Sequence, residues 1–283
     1  MKELSGKVGV VTGAASGIGR ALAARFAAEG MKLVLADVEE GALTTAVREL
    51  EAGGADALGV PTDVSRAGDL ETLARASLDR FGSVHVVCNN AGVFSGGTAW
   101  ECSVQDYEWV LGVNTWGVIH GVRAFTPILL EQAERGIEGH IVNTASMAGL
   151  TALPFASIYH MSKHAVLAFS ECLYHELAMR GGTVGVSVLC PELIATRIAD
   201  SGRNRPERFG ESPARSSEHQ LVEKAIAEGT ASGLPPAAMA DRVVDAIRDK
   251  RFYILAEDGW RDSCHTRLDD IRAGRNPTLA VPS

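Results

Sequence analysis

"KVGVVTGAASGIGR", residues 7–20, joins an apolar run to a glycine-rich turn and the start of a second apolar pattern. Residues 7–12 predict a buried strand, and "GRALAARFAAEG" at 19–30 predicts a helix that ends near Gly30. Between them, Gly13, Gly17 and Gly19 allow a tight turn and let a pyrophosphate approach the free N–H groups of the helix N-terminus. Because the chain has 30 glycines, this spacing alone is weak; its strand–turn–helix context makes it a predicted dinucleotide-binding turn.

The same strand signal recurs along the chain. Six more short apolar runs predict strands, at 32–37, 55–63, 84–90, 140–146, 183–190 and 251–256. Helical windows that close on glycine lie between several of them. The runs are apolar throughout rather than alternating, which is typical of strands covered on both faces. These patterns predict an α/β fold with a Rossmann-type, doubly wound parallel sheet of about seven strands, flanked by helices on both faces.

No linker interrupts the alternation before residue 196, so we interpret residues 1–283 as a single domain. Residues 197–234 are polar and rich in Gly, Pro and Ser, and a stretch of this length inside a compact domain is usually a functional lid or disordered. We expect it to form a lid over a bound substrate, and residues 257–283 to form a C-terminal tail.

Composition narrows the class of protein. A net charge of -8 gives no sign of a basic face for nucleic acid. The five cysteines are scattered without a C-x-x-C pair, which argues against a disulfide framework and a zinc knuckle and suits a reducing compartment. The N-terminal apolar run is too short for a signal peptide or a membrane span. We therefore expect a soluble, cytoplasmic protein with no membrane partner.

Asp37 ends the second predicted strand, roughly 20 residues after the glycine turn, where an acidic side chain can bind both hydroxyls of an adenosine ribose. A 2′-phosphate there would meet like-charge repulsion, and no Arg or Lys lies beside Asp37 in the sequence to offset it. The predicted cofactor is therefore NAD rather than NADP. The alternative is an aspartate that merely caps the next helix.

"YHMSKH", residues 159–164, places Tyr159 and Lys163 one helical turn apart on the same face. They are either an ordinary neighbouring pair on an exposed helix face or a phenol whose pKa is lowered by a nearby ammonium so that it acts as an acid or base. His160 and His164 share the same spacing, as zinc-binding histidines do. However, the residue after the first histidine is Met161 and a third ligand is not evident, so we expect no metal.

Taken together, the motifs resemble the short-chain dehydrogenase/reductase family over roughly residues 4–198 and 235–256. The residues that carry the resemblance are Gly13-x-x-x-Gly17-x-Gly19, "NNAG" at 89–92, Asn114 in "GVNTWG", Ser146 after the fifth predicted strand, and Tyr159-x-x-x-Lys163. One departure is Pro191-Glu192, where the family commonly has Pro-Gly, and it puts the local contact with a nicotinamide in doubt.

The resemblance implies a role for each matching residue. Tyr159 would be the acid/base, Ser146 would hydrogen-bond the same substrate oxygen, Lys163 would hold the nicotinamide ribose, and Asn114 would hold a water that links Lys163 to solvent. The cofactor-binding residues that the resemblance adds to the glycine turn and Asp37 are Ser16, Ile18, Asp63, Val64, Asn90, Ala91, Gly92, Tyr159, Lys163, Pro191, Ile194 and Thr196. It also implies a homo-oligomer, a tetramer or dimer, packed through the long helices predicted at 104–133 and 159–180.

The implied activity is hydride transfer between NAD and a secondary alcohol or ketone, with Tyr159 handling the proton. We expect a lipophilic substrate because the residues expected beside it are apolar, namely Val93, Phe94, Leu150, Leu153 and Leu193. Two other functions remain open: a catalytically idle NAD-binding sensor on the same fold, and a methyltransferase of similar sheet architecture.

Overall fold

One parallel sheet organises the computed structural model, which describes residues 1–210, 216–255 and 259–280. The strands of that sheet are β1 (Val8–Thr12), β2 (Lys32–Asp37), β3 (Ala57–Pro61), β4 (Val86–Asn89), β5 (Gly139–Thr144), β6 (Val184–Cys190) and β7 (Tyr253–Leu255). Within the described residues the seven strands lie in the order β3-β2-β1-β4-β5-β6-β7, and every neighbouring pair is parallel. The order reverses between β1 and β4, which leaves a crevice at the carboxyl ends of these two strands.

Helices cover both faces of the sheet. They are α1 (Gly17–Ala28), α2 (Glu40–Ala52), α3 (Ala67–Phe81), α4 (Val104–Leu111), α5 (Gly117–Glu134), α6 (Ser157–Met179), α7 (Ser217–Ala231), α8 (Pro236–Asp249) and α9 (Gly259–Ala273). One core packs α1, α2 and α8 against the sheet, with Phe26 and Leu22 of α1 fully buried. The other packs α3, α5 and α6 against the opposite face, around Phe125 and Leu129. The predicted doubly wound α/β fold is confirmed.

The helix predicted at 104–133 is divided in two. A π-helical segment, Gly112–Trp116, separates α4 from α5. Asn114 lies in this segment and is fully buried, and its amide hydrogen-bonds residues of a neighbouring loop and helix. A π turn adds one residue to a helical turn, and such segments are often found at functional sites.

The segments expected to be a lid and a tail contain more regular structure than their composition indicated. The first holds short 3₁₀ turns at Ile198–Asn204 and Glu207–Phe209 and then α7, which begins with the Ser216 hydroxyl accepting the His219 N–H. The second holds α9. Residues 211–215 of the expected lid, and 257–258 and 281–283 of the expected tail, lie outside the described residues. Among the helices described, none is both long and apolar enough to cross a membrane.

A buried polar chain connects β4, β5 and α6 below the crevice. Asn89 Nδ2 donates to Asn143 Oδ1 (2.9 Å), and Asn143 Nδ2 donates to Ser170 Oγ (3.0 Å). Gly121 of α5 packs directly on this chain, and a Cβ at residue 121 would overlap the Asn89 amide. Glycine at this position is therefore what allows α5 to approach the sheet closely.

Gly121→Ala is expected to lower the free energy of unfolding by about 1–3 kcal/mol, because the added methyl must displace Asn89 or push α5 away from the sheet. Urea unfolding measures the change. Gly68→Ala is the matched control, since Gly68 also lies in a helix but a Cβ there meets no atom within 4 Å. Equal stability of the two variants would contradict the close packing at Gly121.

Candidate active site

The turn between β1 and α1 has a backbone that favours glycine at two positions. Gly13 has φ +65°, and a Cβ there would lie 2.9 Å from Ala91 Cα. Gly17 has φ +54°, and its Cβ would lie 3.0 Å from the Thr196 side chain. L side chains avoid these φ values and would also fill the space in front of the helix N-terminus. The turn is thus a narrow backbone cradle that fits a pyrophosphate.

The ends of β1 and β4 are joined by hydrogen bonds at the strand-order reversal. The Thr12 hydroxyl accepts the backbone N–H groups of Asn90 (2.9 Å) and Ala91 (3.1 Å), and Asn90 Nδ2 donates to the Thr12 carbonyl (3.0 Å). These bonds hold the "NNAG" stretch against the glycine turn. Thr12 was not among the predicted site residues, although its position at a strand end before a glycine is a signal of this role.

Asp37 lies at the end of β2 and is only 9% exposed. Its Oδ2 accepts the N–H of Ala15 (2.9 Å) and its Oδ1 accepts the N–H of Glu39 (3.0 Å). Burial raises the pKa of this carboxyl, and the backbone hydrogen bonds oppose that shift. Each carboxylate oxygen keeps further acceptor capacity, which fits the two hydroxyls of a ribose.

Basic and amide groups that the sequence analysis missed reach the same side of the cleft. Arg203 Nη2 lies 2.9 Å from Glu39 Oε1, and Asn204 Nδ2 donates to that oxygen (2.9 Å). Hydrogen bonds from Asn204 and Arg203 lower the pKa of the Glu39 carboxyl. Arg203 also lies 3.9 Å from Asp200, so carboxylates on two sides offset its charge. Nothing local in the sequence indicates this contact, because the partners are 164 residues apart.

Most of the residues predicted to bind a cofactor line the same cleft. The predicted residues that line it are Gly13, Ser16, Gly17, Ile18, Asp37, Asp63, Val64, Asn90, Ala91, Gly92, Tyr159, Lys163, Pro191 and Thr196. Gly19 and Ile194 lie behind its wall: a Cβ at Gly19 would run into the Gly13 carbonyl, and Ile194 is 3% exposed within the core.

Tyr159 and Lys163 line this cleft, and Ser146 lies next to Tyr159 just outside the lining. Lys163 Nζ lies 5.6 Å from the centre of the Tyr159 ring and donates to the Thr144 carbonyl (3.0 Å). Ser146 begins the turn after β5, where its hydroxyl accepts the Ala148 N–H (3.1 Å) and lies 3.4 Å from the Pro191 carbonyl. The Ser146 side chain lies close enough to the phenol to lower the pKa of Tyr159, against the larger effect of burial. The i, i+4 spacing therefore does bring the phenol and the amine together, beside a hydroxyl.

Burial shifts the two titrating groups toward their neutral forms. It raises the pKa of Tyr159 to about 12, against a smaller opposing effect of the Ser146 hydrogen bond. It lowers the pKa of Lys163, which is 2% exposed, to about 8. The sequence analysis expected a lowered phenol pKa, whereas in the structure without cofactor loss of hydration raises the pKa of Tyr159.

Asn114 is fully buried close to Lys163. Its Oδ1 accepts the Val93 N–H (2.8 Å), and its Nδ2 donates to the Val93 carbonyl (3.0 Å) and to Ser162 Oγ (3.0 Å). Both amide hydrogens are thus used, while Oδ1 can accept one more bond. A Cβ on Gly92 would lie 3.5 Å from both Asn114 Oδ1 and Lys163 Nζ, so these two groups face the same small space.

The histidines of "YHMSKH" have structural partners. His160 Nδ1 lies 2.9 Å from the Ala148 carbonyl and 2.8 Å from the Thr151 carbonyl, which ties the turn after Ser146 to α6. His164 Nδ1 lies 2.9 Å from the His160 carbonyl, and burial lowers the pKa of both rings. Within residues 1–210, 216–255 and 259–280, no three or more His, Cys, Asp or Glu side chains are grouped to hold a metal.

The pKa of Lys163 predicts a pH dependence of stability. Below about pH 8 the amine is charged in both states, so the folded protein bears the full cost of burying it. Between that pH and roughly 10.4, only the unfolded chain keeps the proton, so stability rises with pH. Relative to Lys163→Met, which lacks the group, the wild type should gain on the order of 3 kcal/mol across this window.

Urea unfolding at several pH values from 7 to 10 checks this expectation. Lys224→Met is the matched control, because it makes the same substitution at a side chain that is 73% exposed. A flat difference between wild type and Lys163→Met would mean that the buried amine does not titrate in this range.

Known proteins resemble this chain over most of its length. The family model for short chain dehydrogenase matches residues 7–207. A short chain dehydrogenase/reductase from Burkholderia phymatum, crystallised in complex with NAD, is 47% identical with a TM-score of 0.96, covering 100% of both chains. The 1-deoxy-11-beta-hydroxypentalenate dehydrogenase of Streptomyces arenae is 42% identical, covering 98% of this chain and 91% of that protein. The CLA biosynthesis dehydrogenase/reductase of Lactiplantibacillus plantarum is 30% identical, covering 99% and 98%.

The match extends over most of the chain and includes the glycine turn, Ser146, Tyr159 and Lys163. The chain therefore belongs to the short-chain dehydrogenase family of oxidoreductases.

Proposed function

We propose that this protein is an NAD(H)-dependent oxidoreductase that interconverts a lipophilic secondary alcohol and its ketone. The observation that carries the proposal is that Tyr159 and Lys163, with Ser146 beside the phenol, line the same cleft as the glycine turn and Asp37. Burying the Lys163 amine without a carboxylate partner costs free energy. A helix face with a purely structural role would not need such a group.

The proposed chemistry assigns proton handling to the protein. Tyr159 Oη takes the proton of the substrate hydroxyl as the C–H bond breaks, and returns it to the carbonyl oxygen in the reverse direction. Ser146 donates to the same substrate oxygen and stabilises the charge that develops on it. When bound, NAD supplies the hydride acceptor or donor, and its oxidised ring adds a positive charge that favours the phenolate.

Lys163 has two proposed roles that its contacts allow together. One ammonium hydrogen is used by the Thr144 carbonyl, which leaves two donors for the hydroxyls of the nicotinamide ribose. The charge, 5.6 Å from the phenol ring, also favours the phenolate. Asn114 Oδ1, which faces the same space, would hold a water that carries protons between Lys163 and solvent.

The proposed preference for NAD over NADP rests on Asp37 and Glu39. Two carboxylates at the end of β2 would repel a 2′-phosphate. Arg197 and Arg203 line the cleft and could attract one, but their charges are already offset. Arg203 pairs with Glu39 and Asp200, and Arg197 lies 2.7 Å from Asp200.

The proposed substrate is lipophilic because apolar side chains surround the reacting end of the cleft. Phe94 packs edge-on against Tyr159, with ring centroids 5.2 Å apart. Val93 lines the cleft, and Leu193 packs against α7, where a Cβ on Gly229 would meet its methyl groups. We propose that residues 197–234 act as the lid over this substrate, within one domain that spans 1–283.

We also propose that the protein is cytoplasmic and that it forms a homo-oligomer. Large apolar side chains are exposed on the helices expected to pack between subunits: Trp116 (51%), Met161 (45%), Tyr174 (42%) and Met179 (88%). Such exposure is typical of a surface that another chain covers.

Tyr159→Phe is expected to lower kcat about 10²–10⁴-fold in both directions, because the acid/base oxygen is lost, while the Kd for NADH stays unchanged. Tyr174→Phe on the same helix is the matched control and should keep wild-type kcat. The assay is NAD⁺ reduction with a panel of lipophilic secondary alcohols at alkaline pH. Turnover of polar polyols alone would refute the substrate class, and a fully active Tyr159→Phe would refute the mechanism.

Asp37→Ser is expected to reduce the NAD⁺ over NADP⁺ preference in kcat/KM at least about tenfold, because it removes one of the charges that repel a 2′-phosphate. Steady-state kinetics with both cofactors measure the ratio. Asp79→Ser, an exposed position on α3, is the control for the loss of one negative charge. A wild type that uses both cofactors equally would contradict this role of Asp37.

A further inference from the structure

The segment 196–206, which follows β6, forms part of the cleft wall and contacts the chain after two neighbouring strands. The Thr196 side chain packs against the turn after β1, where a Cβ on Gly17 would lie 3.0 Å from it. Arg203 pairs with Glu39 in the segment after β2. We call residues 196–206 the strap. The strap thus runs beside the glycine turn and the end of β2, where the nucleotide is proposed to bind.

Three polar contacts join the strap to Glu39. Arg203 Nε donates to Glu39 Oε1 (3.0 Å), Arg203 Nη2 lies 2.9 Å from the same oxygen, and Asn204 Nδ2 also donates to it (2.9 Å). All three residues line the cleft, and we call this group the clasp. The clasp therefore connects two parts of the cleft wall that are 164 residues apart in the sequence.

The clasp lies next to the proposed ribose site. The Glu39 backbone N–H donates to Asp37 Oδ1 (3.0 Å), and Asp37 is the residue proposed to bind the adenosine ribose. A nucleotide seated against Asp37 is thus beside the side chains of Glu39 and Arg203. Those side chains are placed to close the cleft on the adenosine side.

Side-chain rotation is the easiest way to open the clasp. The backbone next to it is held by Arg205, whose Nη1 donates to Asp106 Oδ1 (2.6 Å) with the two side chains only 9% and 5% exposed. Breaking a buried pair of this kind leaves an uncompensated charge. The Arg203 and Glu39 side chains are 21% and 26% exposed, so water can replace their contacts when they separate.

Building on the proposed function, we propose that Glu39, Arg203 and Asn204 form a gate that NAD⁺ and NADH must open to enter and to leave the cleft. The clasp joins protein groups to one another and needs no group of the nucleotide. It therefore slows binding and release alike and leaves the dissociation constant nearly unchanged, because a contact shifts an equilibrium only when it differs between the two states. Opening of such a gate is a step that can limit turnover.

Stopped-flow fluorescence of NADH with the full chain tests the gate, because it gives kon, koff and Kd without any turnover. Glu39→Ala, which removes the shared acceptor, is expected to raise kon and koff each about tenfold while the Kd changes less than about threefold. Asp56→Ala is the matched control, since it removes the carboxylate partner of Arg80 in an exposed pair that does not line the cleft. It should leave both rate constants unchanged.

Arg203→Ala separates the gate from simple electrostatics. It changes the charge in the opposite sense to Glu39→Ala and should also raise both rate constants, whereas loss of a cation by itself would slow the association of the anionic nucleotide. In the Arg203→Ala background, Glu39→Ala should change the rate constants less than about twofold, because most of the clasp is already lost.

Unchanged rate constants in both single variants would overturn the gate, and so would equal effects of Glu39→Ala in the two backgrounds. A higher Kd at unchanged kon would also overturn it, since Glu39 would then contact the nucleotide directly. Faster exchange of NADH in a protein that turns over no alcohol or ketone would support the gate and refute the proposed reaction.

Discussion

The hydroxyl of Thr12 joins the two strands between which the sheet reverses its order, and the site depends on that junction. Parallel strands that lead to helices on opposite faces leave a gap at their carboxyl ends. Thr12 accepts two N–H groups from the chain after β4, so the "NNAG" stretch lies against the glycine turn. Ala91 is then so close to Gly13 that residue 13 has no room for a side chain. Asp37 on one side and Lys163 on the other then face a cleft of defined width.

The sheet and much of the candidate site could be predicted because their signals are local. Strands buried on both faces read as unbroken apolar runs, and Tyr159 and Lys163 share a helix, so four residues of spacing are enough to place them together. The π turn at Asn114 could not be predicted from periodicity, because an extra residue in one turn hardly changes an apolar pattern. The contacts of Arg203 with Glu39 and of Arg205 with Asp106 join residues 164 and 99 positions apart, and no local pattern encodes them. Helix α7 was not predicted, because the polar composition of its segment is also typical of a loop.

Electrostatics in the site oppose the simple view of a phenol activated by its neighbour. Burial moves Tyr159 and Lys163 toward neutrality, so the protein alone keeps the phenol protonated at ordinary pH. Lys163 is held by a backbone carbonyl and no carboxylate is among the groups that shift its pKa, so the effect of burial is hardly opposed.

Residues 203–205 connect the segment after β2 with helix α4. Arg203 and Asn204 bind Glu39, which lines the cleft after β2, and the next residue, Arg205, binds Asp106 of α4. Because the side chains of three consecutive residues are all held by these contacts, the backbone between them can move little. A shift of the backbone at the Glu39 contact would therefore be passed directly to the contact with Asp106, and the reverse.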